Sequence, residues 1–306
     1  MSAAIEVRRL TKRYGRTTAV DGLSFEVRPG RVTGFLGPNG AGKSTTMRAI
    51  VGLDRPTSGE VLVDGKRYDR LEQPLRHVGA LLDAKGVHSG RTVRAHLDGL
   101  ARSNRIPASR VGEVLDIVGL SGVAGKRAKG LSLGMAQRLG VAAALLGDPR
   151  VLLLDEPVNG LDPEGILWIR ALMKRLAAEG RTVFVSSHLM SEMALTADHL
   201  IVIGQGRLLA DSSVTEFVSR NSRSFILIRT PEPEKARDAL AGAGIEVADG
   251  PDGTLEALHT TLETVGALVA RHQITVYEIS PQVASLEEAF MQLTADAVDY
   301  RAKQEV

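Results

Sequence analysis

Residues 37–44 read GPNGAGKS, and this stretch constrains the fold more than any other part of the chain. It fits the pattern G-x-x-x-x-G-K-[ST], in which glycines let the backbone wrap closely around phosphate groups and direct its N–H groups inward. The apolar run VTGFL precedes the stretch, and a helical pattern over about 43–52 follows it. A strand, a glycine-rich loop and a helix in this order predict a phosphate-binding α/β domain.

The side chains of this phosphate loop, residues 37–44, suit a magnesium–nucleotide complex. Lys43 supplies a positive charge for the β- and γ-phosphates, and the Ser44 hydroxyl suits Mg²⁺. The N-terminus of the following helix adds its dipole. A glycine-rich turn without a ligand is the alternative, and it leaves the lysine and the hydroxyl without a role. The candidate phosphate-binding residues are Gly37, Pro38, Asn39, Gly40, Ala41, Gly42, Lys43, Ser44 and Thr45.

Continuous apolar strands alternate with helices through the first two thirds of the chain. This pattern predicts a parallel sheet covered on both faces, and antiparallel strands near the N-terminus make the sheet mixed. The predicted strands are 5–9, 22–28, 31–36, 61–65, 151–155, 182–187 and 200–204, and the predicted helices are 43–52, 92–104, 109–120, 135–147, 163–180 and 189–196.

The pattern restarts after about residue 221 as strand, helix, two strands around GPDG, helix and strand. That order, with strands at 224–230 and 274–280, predicts a small ferredoxin-like α+β domain. A final helix is expected over about 284–298. The predicted domains are therefore 1–221 and 222–306.

Composition excludes several classes of protein. The chain has 38 basic and 36 acidic side chains, a net charge of +2, and no run of five Lys or Arg, so we expect no nucleic-acid partner. The absence of cysteine excludes disulfides and thiolate metal sites. No apolar run approaches the roughly 20 residues of a membrane span, and the N-terminus lacks a signal-peptide core. We expect a cytoplasmic chain that reaches a membrane only through a partner.

Two carboxylates follow a buried strand in VLLLDEP. Asp155 and Glu156 lie at the carboxyl end of that strand, where open α/β sheets place ligands. An aspartate at this place suits Mg²⁺, and the next carboxylate can accept a proton from an attacking water. An ordinary strand-end acid pair is the alternative, and it is weak beside the phosphate loop.

Residues 131–138, LSLGMAQR, form a second candidate anion site, which we call the signature segment. Ser132 and Gly134 precede or begin a helical run, so a hydroxyl and free backbone N–H groups meet at a helix N-terminus. The segment brings no lysine to that N-terminus. It is therefore half a phosphate site.

Taken in order, GPNGAGKST, LSLGMAQR, VLLLDEP, NGLDP and SSH resemble the motifs of the ATP-binding cassette (ABC) ATPases over roughly residues 3–215. Among these, the chain looks like the ATPase subunits of bacterial multidrug and antibiotic exporters. The resemblance implies ATP and Mg²⁺ as cofactors and ATP hydrolysis coupled to transport by a separate transmembrane permease. It also implies a homodimer that sandwiches two ATP molecules, held peripherally at the inner face of the membrane.

The resemblance also implies residue roles. Tyr14 stacks on adenine, Asp155 holds magnesium, and Glu156 is the general base. Asp162, in NGLDP, links the sites of the two subunits, and His188, in SSH, senses the γ-phosphate. Ser132 and Gly134 act in trans, on the ATP held by the other subunit.

Two departures from the family pattern stand out. The family usually has LSGGQ where this chain has LSLGM, so Leu133 and Met135 replace a small and a polar residue. Asp83 stands where the family usually has a glutamine near Mg²⁺. An aspartate there either binds magnesium or adds repulsion near the γ-phosphate, and both alternatives stay open. The implied helical subdomain covers about 86–146, and 85–97 is the candidate contact with the permease.

The main alternative is a soluble, non-transport ABC ATPase of the translation or DNA-repair type. Such chains carry two cassettes, long coiled-coil arms or cysteine metal sites, and this chain has one cassette, no cysteine and no sustained heptads. A GTPase or kinase would leave the signature segment unexplained. For 222–306 we favour a packing role over regulation, dimer stabilisation or ligand binding.

Overall fold

A computed structural model describes residues 4–83, 86–282 and 285–294. These residues form two compact units, one of the residues up to Val214 together with Leu293 and Thr294, and one that covers Thr215–Gln292. The predicted division into 1–221 and 222–306 differs from this boundary by one short helix, Val214–Asn221. It stays a prediction.

Nine strands and six helices of the first unit lie within the described ranges. The strands are β1 (Ile5–Tyr14), β2 (Thr17–Val27), β3 (Val32–Leu36), β4 (Ser58–Val63), β5 (Val78–Leu81), β6 (Val151–Asp155), β7 (Thr182–Ser187), β8 (His199–Gly204) and β9 (Arg207–Ser213). The helices are α1 (Lys43–Ile50), α2 (Val93–Ser103), α3 (Ser109–Ile117), α4 (Leu133–Leu145), α5 (Pro163–Ala178) and α6 (Met190–Thr196), and α7 (Val214–Asn221) follows.

The strands form the mixed arrangement that the sequence predicts. A six-stranded sheet has the order β5-β6-β7-β3-β8-β9 and is parallel except for the hairpin of β8 and β9, while β2, β1 and β4 form an antiparallel sheet. Phe25 of β2, Phe35 of β3 and Phe184 of β7 pack against one another, with ring centroids 5.0–5.7 Å apart. The core between the two sheets is therefore apolar and aromatic, and it holds the parallel strands in place.

Parallel pairing gathers the carboxyl ends of three strands at one edge of the larger sheet. Leu36 of β3 pairs with Ser187 of β7, and Asp155 of β6 pairs with Ser186 of β7. The phosphate loop follows β3, Glu156 follows β6, and His188 follows β7. Three segments that are far apart in sequence thus meet at one place.

The second unit has the predicted order of elements. They are β10 (Phe225–Arg229), α8 (Pro233–Gly242), β11 (Val247–Asp249), β12 (Leu255–Leu258), α9 (Leu262–Arg271), β13 (Glu278–Gln282) and α10 (Leu286–Thr294). The sheet order β11-β12-β10-β13 is antiparallel throughout, with the first strand in the interior, as in the ferredoxin-like split unit. Ile228, Leu240 and Val265 are among the side chains of its apolar core.

The last strand of this unit was expected at 274–280; residues 278–280 lie in the observed strand, and 274–277 do not. The strand is β13, which begins at Glu278 opposite Arg229. The preceding residues form a connection, in which Ile274 is buried and Tyr277 is 66% exposed. They alternate in burial, but the register with β10 begins only at Glu278. The predicted final helix, 284–298, corresponds to α10 as far as Thr294. Residues 284 and 295–298 lie outside the described ranges.

Candidate functional site

The phosphate loop has two glycines that nothing larger can replace. A Cβ at Gly37 would collide with the carbonyl oxygen of Ile203, and one at Gly42 would lie 2.5 Å from the carbonyl oxygen of Ala19. Gly42 also has a φ of 103°, which L-residues rarely adopt. The neighbouring backbone therefore dictates both glycines, and the loop is packed tightly enough to hold its shape.

Helix α1, which follows the loop, has no side-chain hydrogen bond from a described residue that caps its N-terminus. Gly42 is its N-cap residue, and its first turn has no acidic side chain. By contrast, Thr92, Ser132 and Asp162 each cap their own helices, α2, α4 and α5. The uncapped N-terminus of α1 leaves backbone N–H groups and a positive dipole end for an anion, so it fits a phosphate.

Lys43 is a buried cation at the centre of the loop. Its side chain is 8% exposed, and its Nζ donates to the carbonyl oxygens of Gly37 at 2.6 Å and Pro38 at 3.2 Å. Burial lowers the pKa of Lys43, and the charges of Glu156 and Asp155 partly offset that effect. A cation with carbonyl partners and nearby carboxylates lies where phosphates would bind.

The backbone around Glu156 is fixed by two side chains for which the sequence suggested no role. The Ser186 hydroxyl donates to Asp155 Oδ1 and accepts from the backbone N–H of Glu156 at 3.0 Å. The buried Gln137 donates from Nε2 to the carbonyl oxygen of Glu156 at 3.0 Å. Glu156 itself has a φ of 49°, a conformation that costs about 1–3 kcal/mol for a non-glycine residue. These hydrogen bonds compensate that strain and direct the side chain.

Glu156 and His188, the two predicted catalytic residues, are in contact. His188 Nδ1 lies 2.7 Å from Glu156 Oε2, a distance at which the imidazole N–H donates to the carboxylate. One side chain follows β6 and the other follows β7, so the parallel pairing of those strands creates the contact. A carboxylate oriented by an imidazole at the edge of a phosphate site can accept a proton from water.

The site has protein oxygen atoms that could bind Mg²⁺, but the described residues do not form a complete coordination shell. Ser44 is exposed at the start of α1, and Asp155 is half-buried at the end of β6. Within the described part of the chain, no group of three or more His, Cys, Asp or Glu side chains could hold a metal ion. Mg²⁺ is usually held by one or two protein oxygens together with substrate phosphates, so this sparse donor set fits it.

Asp83 lies at the same edge of the sheet as Asp155. It comes two residues after Leu81, which pairs with Leu154, and it is exposed. The strand register thus places it beside the site, and its role stays a prediction.

The signature segment packs against the NGLDP loop. The Ser132 hydroxyl accepts from the backbone N–H of Met135 at 3.2 Å, so it caps its own helix. A Cβ at Gly134 would lie 2.9 Å from the carbonyl oxygen of Gly160, and a Cβ at Gly160 would collide with the side chain of Leu133. Leu133, which departs from the family pattern, therefore covers Gly160. Nothing in the structure explains the side chain of Met135.

Asp162 is also a helix cap. Its Oδ1 accepts from the backbone N–H of Gly165 at 2.9 Å and begins α5. The contact of Leu133 with Gly160 joins this loop to the start of α4. The two segments that the resemblance assigns to the subunit contact thus form one packed surface.

Tyr14 lies at the end of β1 with its ring 47% exposed. Its hydroxyl donates to Asp54 Oδ2 at 2.8 Å, and Arg48 of α1 donates to the same oxygen at 2.7 Å. Partial burial and the Asp54 carboxylate raise the pKa of Tyr14. The ring is therefore tied to the helix that follows the phosphate loop, and its exposed surface suits stacking on a base.

A family model described as "ABC transporter" matches residues 20–159, and a model for a domain of unknown function matches residues 224–287. The bacitracin transport ATP-binding protein BcrA of Bacillus licheniformis is 37% identical over 307 residues, covering 96% of this chain and 98% of that protein. The lantibiotic transport ATP-binding protein SrtF of Streptococcus pyogenes is 33% identical over 207 residues, covering 68% of this chain and 90% of that protein.

Solved structures agree with the fold of the first unit. A dimeric ATP-binding cassette in a post-hydrolysis state, bound to ADP and Pi, matches with a TM-score of 0.63 and 25% identity. The match covers 68% of this chain and 98% of that protein.

Proposed function

This chain belongs to the ATP-binding subunits of ABC transporters, and we propose that it drives the export of an antibiotic of the bacitracin or lantibiotic kind through a separate permease. As an ABC exporter subunit it binds ATP with Mg²⁺ and hydrolyses it. The cargo class is inferred from BcrA and SrtF, whose names state bacitracin and lantibiotic transport. Because these relatives are transport proteins, the transporter is favoured over the translation or DNA-repair type.

The observation that carries the proposal is the meeting of phosphate-binding, magnesium-binding and proton-accepting groups at one sheet edge. The uncapped helix α1 and Lys43 bind the phosphates, and Ser44 with Asp155 would hold Mg²⁺, which neutralises charge on the transferring phosphoryl group. Glu156 accepts a proton from the attacking water, and His188 orients that carboxylate. Gln137 and Ser186 hold the backbone that presents Glu156.

We propose that the site is completed by a second copy of the chain. The phosphate loop has a cation and free N–H groups, while the signature segment has a hydroxyl and a helix N-terminus without a cation. Ser132 and Gly134 of one protomer would close over the γ-phosphate held by its partner, with Asp162 at the seam. The dimeric cassette with ADP and Pi supports this arrangement.

The membrane part of the transporter belongs to another chain in this proposal. Across residues 4–83, 86–282 and 285–294, no helix is long and apolar enough to cross a membrane. The permease would contact 85–97, including the start of α2, together with Asp83, and would hold the chain at the inner face of the membrane. Lys85 of that segment lies outside the described residues.

Residues 222–306 form an accessory domain in this proposal. The match of SrtF covers only 68% of this chain, which is enough for the cassette. We expect that deleting 222–306 leaves a cassette that still binds ATP, measured by calorimetry. Loss of ATP binding with retained folding would contradict the separation.

The decisive test is purification of the chain with its permease, reconstitution into vesicles, and transport assays on a panel of antibiotics. Wild-type vesicles should move one class of compound only when ATP is supplied. Vesicles with Glu156→Gln are the matched control, because that variant should bind ATP without sustained hydrolysis. Equal transport by both would overturn the proposal.

A further inference from the structure

A charged cleft of about 600 Å³ lies at the opposite end of the sheet from the phosphate loop. Arg31 lines this cleft and immediately precedes β3, whereas the phosphate loop follows β3. Five strand residues at about 3.3 Å each separate the two places by roughly 17 Å. The cleft is therefore distinct from the nucleotide site.

Arg31 is the unusual residue of this cleft. Its Nε atom is buried and has no hydrogen-bond partner among the described residues. No described carboxylate forms an ion pair with its guanidinium. A buried donor without an acceptor is unfavourable, so it points to an acceptor supplied from outside the chain.

A second arginine faces the same space. Arg28 lines the cleft from the turn that joins β2 to β3. Burial lowers the pKa of Arg31, and repulsion by Arg28 lowers it further, while Asp211 and Asp198 offset only part of this effect. Two like charges are thus held near each other at a concave surface, where an anion would relieve their repulsion.

Most of the acidic groups in the cleft already have partners. Glu6 Oε2 lies 2.5 Å from Arg8 Nη2, and Asp211 Oδ1 lies 2.5 Å from His199 Nε2. The lining residues include four arginines, Arg8, Arg9, Arg28 and Arg31, against three carboxylates, Glu6, Glu26 and Asp211. The cleft therefore has an excess of positive charge.

We propose that this cleft binds a small oxyanion, a phosphate- or carboxylate-bearing metabolite, between the guanidinium groups of Arg28 and Arg31. Each guanidinium is a planar fork of N–H donors that matches two oxygens of such a group. The volume of about 600 Å³ admits a metabolite larger than the oxyanion alone. The bound oxyanion would satisfy the buried Nε of Arg31.

The test uses the full chain with Lys43→Ala, which weakens phosphate binding at the nucleotide site. Inorganic phosphate and citrate are titrated separately by calorimetry, and the arginine Nε–H signals are followed by NMR. We expect at least one anion to bind and to shift the Arg31 signal. Binding of phosphate alone identifies a phosphate ligand, and binding of citrate alone identifies a carboxylate ligand.

Variants on the same background assign the site. Arg31→Gln should weaken binding about tenfold or more, because it removes hydrogen bonds from a charged group. Arg31→Lys keeps the charge but loses the fork, and it should bind more weakly than the parent chain. Arg102→Gln on α2 is the matched control and should change nothing. Failure of both anions to bind, or unchanged binding in a folded Arg31→Gln or Arg31→Lys chain, overturns the proposal.

Discussion

The phosphate loop leads into α1 and the signature segment leads into α4, yet the N-termini of these two helices differ in their side-chain caps. The loop leaves the N-terminus of α1 without a side-chain cap and buries Lys43 beside it. The signature segment brings no lysine to the N-terminus of α4, and its Ser132 caps that helix. One region is open to an anion, and the other is satisfied by its own side chain.

This difference has a physical consequence for the order of assembly. A bound phosphate most strongly stabilises a site with a buried ammonium group and free N–H groups. We therefore expect the loop to bind ATP within a single chain. A phosphate stabilises a capped helix N-terminus less, so in the proposed dimer the signature segment would contribute once a partner brings an ATP to it. We therefore expect the two regions to respond differently to substitution.

The largest expected effect is that of Lys43→Ala. Hydrogen bonds from a charged group contribute about 1.5–3 kcal/mol each, so ATP affinity should fall at least about 100-fold. Calorimetry with Mg-ATP measures the loss, and thermal unfolding of the ligand-free chain checks the fold. Lys174→Ala on the exposed face of α5 is the control. Unchanged nucleotide affinity would remove the phosphate loop from the site.

Glu156→Gln should separate binding from hydrolysis. The amide cannot accept the proton of the attacking water, so turnover should slow by about 10²- to 10⁴-fold while ATP still binds. An ATP-bound dimer should accumulate, which light scattering detects. Glu164→Gln, in the first turn of α5, is the control. Wild-type turnover in the Glu156 variant would rule it out as the base.

Substitutions of Ser132 test the signature segment, because they can separate its capping of α4 from its proposed contact with the phosphate. Ser132→Ala loses the cap and should cost about 1 kcal/mol of stability. Ser132→Asp keeps a capping oxygen but places a negative charge near the phosphate, so the ligand-free chain should stay as stable as the wild type while the ATP-driven dimer is lost. Denaturant unfolding and light scattering measure the two effects.

Mixing tests whether Ser132 acts in trans. A heterodimer of Lys43→Ala and Ser132→Asp chains contains one intact composite site, so the mixture should hydrolyse ATP faster than either variant alone. A mixture no more active than its components contradicts the shared site.

The smallest expected effect is at Tyr14. Loss of the stacked ring in Tyr14→Ala should weaken ATP binding by about 1 kcal/mol, roughly fivefold. Tyr14→Phe keeps the ring and loses only the hydrogen bond to Asp54, so ATP affinity should barely change. Tripolyphosphate, which has no base, is the control ligand. An equal loss for ATP and tripolyphosphate would show that the ring does not contact the base.

Much of this molecule was predictable because its signals are local. The phosphate loop has a fixed spacing between a strand and a helix, and VLLLD and TVFVSS became β6 and β7 at the predicted bounds. The hairpin strand β9 was missed because RLLADSS does not alternate. The start of β13 was misplaced because ITVY alternates like a strand, although the register with β10 begins only at Glu278. Pairing partners, not composition, set the bounds of those strands.

The sequence by itself determined the nucleotide loop, the strand-end carboxylates, the family, the order of elements in the second unit and most of the order in the first. Only the tertiary structure decided that His188 meets Glu156, that Gln137 and Ser186 hold that glutamate, and that Leu133 covers Gly160. It alone brought Arg28 and Arg31 into one cleft with Glu6 of β1 and Asp211 of β9. The reason is that a motif depends on neighbours along the chain, whereas these contacts depend on strand order and register, which join residues far apart in sequence.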